Sequence, residues 1–232
     1  MKTAKFRFYE ELNDFLPKEN KKISFTYHFS GKPAIKDSIE AIGVPHTEVD
    51  LILVNGRSVT FDYQLKDEDL VSVYPASKKI NINKFILDTH LGKLAKYLRM
   101  LGFDTLYENN YKDKKIIAIS IKEKRIILTR DLGILKTGKV THGYWVRHVT
   151  IKAQLKEIIN RFDLTDKIKP FTRCLICNNK LRKIAKEKII HQLPANTKRY
   201  YNEFYKCHKC GQIYWPGSHY KNMLRSIRSF CK

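Results

Sequence analysis

Two pairs of cysteines have the types and spacing of a metal site. Cys174 and Cys177 form one Cys-x-x-Cys pair, Cys207 and Cys210 form a second, and 29 residues separate the pairs. Four thiolates from two such turns close a tetrahedral zinc site, which stabilises a segment too small to build a core of its own. A redox-active pair is the alternative, but one Cys-x-x-Cys motif suits that chemistry better than two. We therefore expect a structural zinc ion, and we expect Cys231 to be a free thiol.

Three aspartates form a second candidate metal site. Asp88 and Asp131 each follow a short apolar run that is typical of a buried strand, and Asp113 begins a predicted helix. Carboxylates in a basic region repel one another unless a divalent cation joins them, and Mg²⁺ or Mn²⁺ prefers such oxygen ligands. A bound ion would activate water against a phosphodiester. The simpler explanations are that Asp113 is only a helix N-cap and that Asp131 is only a turn residue.

The elements that must position these acids alternate between strand and helix. In chain order the pattern predicts a strand at 84–88, a helix at 92–101 ended by Gly102, a helix at 112–124, strands at 125–131 and 143–147, and a helix at 151–162. Such alternation implies a parallel sheet, and ligands gather at the carboxyl ends of its strands. We expect Asp88 and Asp131 at that edge.

Charge divides the chain. The formal net charge is +22, yet residues 1–80 hold 12 basic and 12 acidic side chains, and the last 64 residues hold 15 basic and 2 acidic ones. This excess indicates a polyanionic partner and places a nucleic-acid surface toward the carboxyl end. Aromatic residues are interleaved there, and they either stack on unpaired bases or pack a small core.

The neutral first part predicts strands and one helix in the order ββαβ(β). The strands are expected at 4–9, 23–29, 50–54 and 70–74, the helix at 35–42, and a tight hairpin at Asn55-Gly56. This order is typical of a small ubiquitin-like β-grasp domain. It resembles the sulfur-carrier members of that fold through Leu53-Val54-Asn55-Gly56, Asp67 to Val71 and Tyr74-Pro75. The carriers end in Gly-Gly, whereas this chain continues through Ala76-Ser77-Lys78-Lys79 and a linker at 80–83. The expected role of this domain is therefore docking of a protein partner or a structural role.

The remainder of the chain resembles a known family. The segments Phe85 to Thr105, Ile127 to Asp131 and Pro170 to Cys174 closely resemble the Mut-7 C-terminal domain family. That resemblance implies a PIN-like ribonuclease domain followed by a zinc ribbon, with a ubiquitin-like domain in front in some bacterial members. The expected architecture is therefore α/β, with a ubiquitin-like β-grasp at 1–79, a PIN-like parallel-sheet domain at 84–168 and a basic zinc ribbon at 169–232.

The resemblance also implies roles for the acids. PIN nucleases place acids at the end of the first strand, at the start of a helix and after a later strand, and Asp88, Asp113 and Asp131 match these positions in turn. A further glutamate usually lies on a helix between the first two. Only 24 residues separate Asp88 from Asp113, and Glu108 and Glu123 are weak substitutes.

The expected function is metal-dependent hydrolysis of structured RNA, with tRNA or rRNA favoured. Lys93, Arg99, Arg130 and Arg173 are the candidate phosphate-binding residues. A non-catalytic RNA-binding protein associated with tRNA or the ribosome is the main alternative, and a sulfur-transfer accessory protein is a third, against which the missing Gly-Gly tail counts. No apolar run is long enough for a membrane helix and the start lacks a signal-peptide core, so a cytoplasmic protein without a membrane partner is expected.

Overall fold

The computed structural model describes residues 1–75 and 82–228. The predictions for Ala76 to Lys79, for the first part of the linker and for Cys231 lie outside the described residues. Up to Pro75 the elements are β1 (Lys2–Phe8), β2 (Phe25–Phe29), α1 (Ile35–Ile42), β3 (Val49–Val54), β4 (Arg57–Val59) and β5 (Asp69–Pro75). From Lys84 they are β6 (Lys84–Leu87), α2 (Gly92–Met100), β7 (Asp104–Leu106), α3 (Asp113–Glu123), β8 (Ile126–Thr129), α4 (Leu132–Leu135), β9 (Gly143–Trp145), α5 (Ile151–Arg161), β10 (Leu181–Ile184), α6 (Ala195–Tyr200), β11 (Phe204–Cys207), β12 (Ile213–Tyr214) and α7 (Ser218–Arg228).

These elements fall into two compact units. The first comprises the described parts of residues 1–79 together with 131–145, and the second comprises those of residues 80–130 together with 146–232. The three domain boundaries expected from the sequence stay predictions.

The first unit contains a β-grasp sheet. Its strand order is β2-β1-β5-β3-β4, in which β1 and β5 are parallel and the other pairs are antiparallel. Alternating residues of the strands and the apolar side of α1 meet in one core, in which Phe6, Ile39 and Val73 are fully buried. At the β3–β4 hairpin both Asn55 (φ 49°) and Gly56 (φ 79°) adopt positive φ, as a tight Asn-Gly turn requires. The predicted β-grasp is confirmed.

The segment 131–145 packs within the same unit. The indole ring of Trp145 lies 5.1 Å from the ring of Phe15 between centroids, and its backbone N–H donates to the carboxylate of Glu48 at 2.7 Å. The ring nitrogen Nε2 of His46 is hydrogen-bonded to the carbonyl of Val140 at 2.7 Å. Apolar, aromatic and polar contacts thus join this segment to residues that are distant in sequence.

The second unit contains the predicted parallel sheet. Strand β6 lies between β7 and β8 and pairs in parallel with both. All four residues of β8 are buried, as expected for a strand covered on both faces. Helices α2 and α5 are amphipathic and bury Leu94, Leu98, Leu155 and Ile158. The α/β class and the parallel central sheet are confirmed, although the sequence did not predict the short edge strand β7.

A three-stranded antiparallel sheet, β10-β11-β12, carries the second cysteine pair. The chain that leads to this sheet passes close to the end of α2. At Gly102, which has φ 96°, a Cβ would stand 2.0 Å from the carbonyl oxygen of Lys169. The backbone N–H of Lys169 also donates to the carbonyl of Leu101 at 2.9 Å. Only glycine fits this junction. Among the described residues, no helix is long and apolar enough to cross a membrane.

Candidate functional site

The two cysteine pairs form matching turns. The backbone N–H of Asn178 donates to the carbonyl of Cys174 at 3.0 Å, and that of Gly211 donates to the carbonyl of Cys207 at 2.8 Å. Asn178 and Gly211 have φ of 61° and 76°. These positive φ angles let the chain turn back directly after the second cysteine of each pair. Each turn therefore directs its two sulfur atoms to one side.

All four sulfur atoms meet in one cluster. They lie within 4.8 Å of one another, with Sγ of Cys174 at 3.5 Å from that of Cys210 and Sγ of Cys177 at 3.4 Å from that of Cys207. A zinc ion with bonds of about 2.3 Å to four sulfurs requires sulfur–sulfur distances of about 3.8 Å. The cluster therefore fits zinc. With four protein ligands the ion would be structural.

The environment of Cys174 favours the metal-binding thiolate. Burial acts to raise the pKa of this thiol, but hydrogen bonds from the Tyr214 hydroxyl and from the backbone N–H groups of Cys177 and Ile176 lower it to about 7. The Tyr214 hydroxyl lies 3.2 Å from the sulfur. Since the thiolate is the ligand, these donors help Cys174 to accept a cation.

Arg99 ties the first cysteine turn to the parallel sheet. It is 5% exposed, and its guanidinium donates to the carbonyls of Leu175 (3.0 Å) and Ile176 (2.9 Å), both inside the turn. It also donates to the carbonyls of Thr105 (2.8 Å) and Tyr107 (3.3 Å) in and after β7. Its donors are thus engaged with the main chain, and we leave Arg99 out of the proposed substrate contacts. Its positive charge beside the cysteines also offsets the charge of a tetrathiolate.

A second connection runs through Asp104, the first residue of β7. Its carboxylate accepts from Arg125 (2.7 Å), from Arg173 (3.0 Å) and from the side-chain amide of Asn178 (2.7 Å). Burial acts to raise the pKa of this carboxyl, but the hydrogen bonds from Arg125 and Asn178 hold it below its ordinary value. The side-chain oxygen Oδ1 of Asn178 accepts from the backbone N–H of Thr105 at 3.0 Å. Arg173, another expected substrate contact, therefore belongs to this structural network, and we leave it out as well.

Asp88 lies where the sequence predicts it, directly after β6 at the carboxyl edge of the sheet. It is 5% exposed. One carboxylate oxygen accepts from the hydroxyl of Thr89 at 3.1 Å and the other from the hydroxyl of Thr129, the last residue of β8, at 3.0 Å. Among the described residues, the hydrogen bonds to this carboxylate come from two hydroxyls and from no cationic side chain, so a metal ion can serve as its charge partner.

The other two acids are exposed. Asp113 is the first residue of α3 and the N-cap is Lys112, so the N-cap explanation does not hold; the carboxylate lies in the first turn, where the helix dipole stabilises it. Asp131 is the N-cap of α4, and its carboxylate accepts from the backbone N–H of Gly133 at 2.7 Å. Asp131 belongs to the first unit, whereas Asp88 and Asp113 belong to the second.

Within residues 1–75 and 82–228, the four cysteines are the only group of three or more metal-ligating side chains that meet. A shared ion at the three aspartates therefore stays a prediction. Of the remaining expected contacts, Lys93 is exposed on α2, and Arg130 is exposed and donates to the carbonyls of Arg147 (3.4 Å) and His148 (2.7 Å).

Several polar residues of this edge were missed by the sequence analysis. Besides Thr89 and Thr129, they include Gln154 and Glu157 on α5, of which Gln154 is 4% exposed. The sequence contained a signal for Gln154 and Glu157. The two are three residues apart and lie next to Leu155 and Ile158 on the buried side of α5, and polar side chains that are buried need hydrogen-bond partners.

The aromatic residues of the basic region divide into two groups. Phe204 is fully buried and packs with Tyr201 and Trp215 in a small core. Tyr200, in contrast, is 67% exposed, with the guanidinium of Arg199 at 5.5 Å from its ring centroid. The core-packing explanation is confirmed for Phe204, Tyr201 and Trp215, whereas stacking of Tyr200 on an unpaired base stays a prediction.

A parallel sheet with a buried carboxylate at its carboxyl edge, together with a four-cysteine ribbon, defines an α/β domain with a candidate metal-binding module. The model of the Mut7-C RNAse domain matches residues 83–227, and that of the Mut7-C ubiquitin domain matches residues 1–81. The chain belongs to the Mut7-C family, which indicates an RNase-type function.

The other comparisons add little. Among solved structures, a candidate molybdopterin converting factor, subunit 1, from Pyrococcus furiosus is 23% identical over 32% of this chain and 98% of that chain, with a TM-score of 0.26. No curated protein matches the chain.

Proposed function

We propose that this protein is a metal-dependent ribonuclease of the cytoplasm that hydrolyses phosphodiesters of structured RNA, with tRNA or rRNA as the substrate. The observation that carries the proposal is Asp88: a buried carboxylate at the carboxyl edge of the parallel sheet, in a domain of the Mut7-C RNAse family. In the described part of the chain no cationic side chain is hydrogen-bonded to this carboxylate, and a bound metal cation would compensate the cost of burying it.

Mg²⁺ or Mn²⁺ would be held by Asp88, with Asp113 and Asp131 as the further ligands. Mg²⁺ commonly binds through one or two carboxylates together with water and substrate phosphates, so three carboxylates need not meet before the RNA binds. When bound, the ion supplies an activated water and offsets the charge that develops on the phosphate. The hydroxyls of Thr89 and Thr129 fix the orientation of the Asp88 carboxylate for this task.

Basic residues would hold the RNA. Lys93, on the helix that follows Asp88, and Arg130, directly before Asp131, would contact the phosphate near the acids. The ribbon offers exposed Lys180, Arg182 and Lys183 around its structural zinc ion. The exposed ring of Tyr200 with Arg199 beside it would stack on an unpaired base.

A non-catalytic RNA-binding protein, associated with tRNA or the ribosome, is the second candidate. The observation that favours it is Asp131, whose carboxylate caps α4 through the N–H of Gly133, because a capping carboxylate needs no metal to explain it. For the β-grasp, the exposed Leu51 (39%) and Leu70 (56%) on neighbouring strands favour docking of a protein partner.

One experiment separates the two candidates. The purified protein is incubated with total cellular RNA and Mg²⁺ or Mn²⁺, beside the variants D88N and D131N, and the new RNA ends are sequenced. Discrete cuts by the wild type that both variants lose, while RNA binding persists, support the ribonuclease and identify its substrate. RNA that is bound but left intact by the wild type favours the second candidate.

A further inference from the structure

A histidine and a glutamate form a dyad in the second unit that the function above does not use. Nδ1 of His148 lies 2.9 Å from a carboxylate oxygen of Glu157, in the middle of α5. The Glu157 side chain is 6% exposed, whereas that of His148 is 56% exposed. A buried carboxylate thus fixes an exposed imidazole.

The backbone strengthens this arrangement. The other carboxylate oxygen of Glu157 accepts from the N–H of Arg147 at 2.8 Å, and the first also accepts from the N–H of His148 at 3.1 Å. The amide of Gln154 and the guanidinium of Arg130 donate to the carbonyl of His148 at 2.9 and 2.7 Å. Both the main chain and the ring of His148 are therefore held in place.

The dyad lies at the same edge of the sheet as Asp88. Asp88 follows β6, its neighbour β8 ends at Thr129, and the backbone N–H of Val146 donates to the carbonyl of Thr129 at 2.8 Å. Two strand spacings place the chain near Val146 on the order of 10 Å from β6. His148 follows two residues later. A phosphodiester bound between His148 and Asp88 would contact both side chains.

The orientation of the ring decides what it can do. When Nδ1–H donates to a carboxylate, Nε2 is left to face solvent or substrate, and it carries a proton in the imidazolium form. Among the described residues, none is hydrogen-bonded to Nε2 of His148. An oriented imidazole with one nitrogen available is the arrangement used for proton transfer.

We infer that His148 is the general acid of the proposed RNA hydrolysis, that Glu157 is its positioning residue, and that the substrate presents its leaving oxygen to Nε2. This inference rests on the proposed function. Water attacks phosphorus and gives one proton to solvent, while the bond between phosphorus and the leaving oxygen breaks. The Nε2 proton passes to that oxygen, so the products are an alcohol and a phosphate monoester, and His148 regains a proton from solvent. Arg130, bonded to the carbonyl of His148, adds a positive charge beside the phosphate.

A substrate with sulfur in place of the leaving oxygen tests the inference, because a thiolate leaves without a proton. Single-turnover rates are measured for the full chain on the cleaved RNA sequence with a bridging oxygen or a bridging sulfur at that position. We expect H148Q to slow cleavage of the oxygen substrate about 100-fold or more and to cleave the sulfur substrate at nearly the wild-type rate. E157Q should slow only the oxygen substrate, and should add little in the H148Q background, since the two residues act as a unit. H28Q, which alters an exposed histidine of β2, is the matched control and should behave as wild type.

The contrary outcomes are distinct. Equal slowing of both substrates by H148Q assigns the residue to binding or folding and overturns the inference, as does wild-type cleavage of both. Failure of the wild type to cleave either substrate overturns the proposed function and this inference with it. Thermal unfolding of each variant shows whether a lost rate reflects lost folding.

Discussion

The cysteine cluster and the aspartate site differ in how completely the fold assembles them. Each Cys-x-x-Cys turn fixes two sulfur atoms locally, so only two turns need to meet, and all four sulfurs lie within 4.8 Å. The aspartates follow three separate elements, and they reach different surroundings: Asp88 is buried, whereas Asp113 and Asp131 are exposed. A structural site must be complete for the chain to fold, whereas a site for RNA and its cation has to remain open to both.

The largest effect is expected from breaking the complete site. We expect the wild type to bind about one zinc ion per chain and C174S to lose it, which would remove stabilisation on the order of 10 kcal/mol from the ribbon. Metal analysis and thermal unfolding measure both quantities. C231S changes a cysteine outside the two pairs and should retain the zinc ion. A wild-type protein purified without chelator that contains no zinc contradicts the assignment.

The open site should respond in activity rather than in stability. We expect D88N to lower the RNA cleavage rate about 100-fold, because it removes the proposed cation ligand, while RNA affinity changes little. D166N, which changes an exposed acid of the same unit, is the control. If D88N cleaves RNA at the wild-type rate, Asp88 has no role in catalysis.

A substitution of Arg99 tests whether the contact between the first cysteine turn and the parallel sheet is structural. We expect R99M to destabilise the protein by about 3 kcal/mol, because four main-chain carbonyls lose a charged donor. Urea unfolding measures the change, with R182M at an exposed position as the control. A variant of unchanged stability whose RNA affinity falls would return Arg99 to the substrate contacts.

The network around Asp104, which also links the parallel sheet to the first cysteine turn, should make the stability of the protein depend on pH in the acid range. Its pKa in the folded state lies below the ordinary value of 3.8, so its contribution is present above that pH and is lost as the pH falls through the folded-state pKa. We expect D104N to reduce stability by about 1–3 kcal/mol at neutral pH and by less near pH 2. Urea unfolding at the two pH values measures this difference, and an equal loss at both would contradict the role of the charge.

The smallest effects belong to the exposed basic residues. We expect R182A to lower RNA affinity only slightly and to reduce the slope of log affinity against log salt by about 0.7–0.9 per lost phosphate contact. Binding titrations at several salt concentrations measure the slope. A slope identical to that of the wild type would remove Arg182 from the RNA surface.

Local signals carried most of what the sequence predicted correctly. The Asn55-Gly56 turn, helix α1 at Ile35–Ile42 and the cysteine turns depend on residues close in sequence, and each was confirmed. Strand β7 was missed because three residues give no periodic pattern; it is held by its parallel pairing with β6 and by the side chain of Asn178, 73 residues from Thr105. Likewise, nothing local distinguishes the Arg99 that joins the cysteine turn from an arginine that binds phosphate.

Cation binding at Asp88 is the most direct test of the contrast between the two sites. Electron paramagnetic resonance of Mn²⁺ added to the zinc-loaded protein is measured for the wild type and D88N, with and without an RNA that resists cleavage. The account predicts a bound Mn²⁺ that RNA strengthens and that D88N loses, while the zinc content of both proteins stays equal. Mn²⁺ binding that is identical in the two proteins, or absent from the wild type even with RNA, would contradict it.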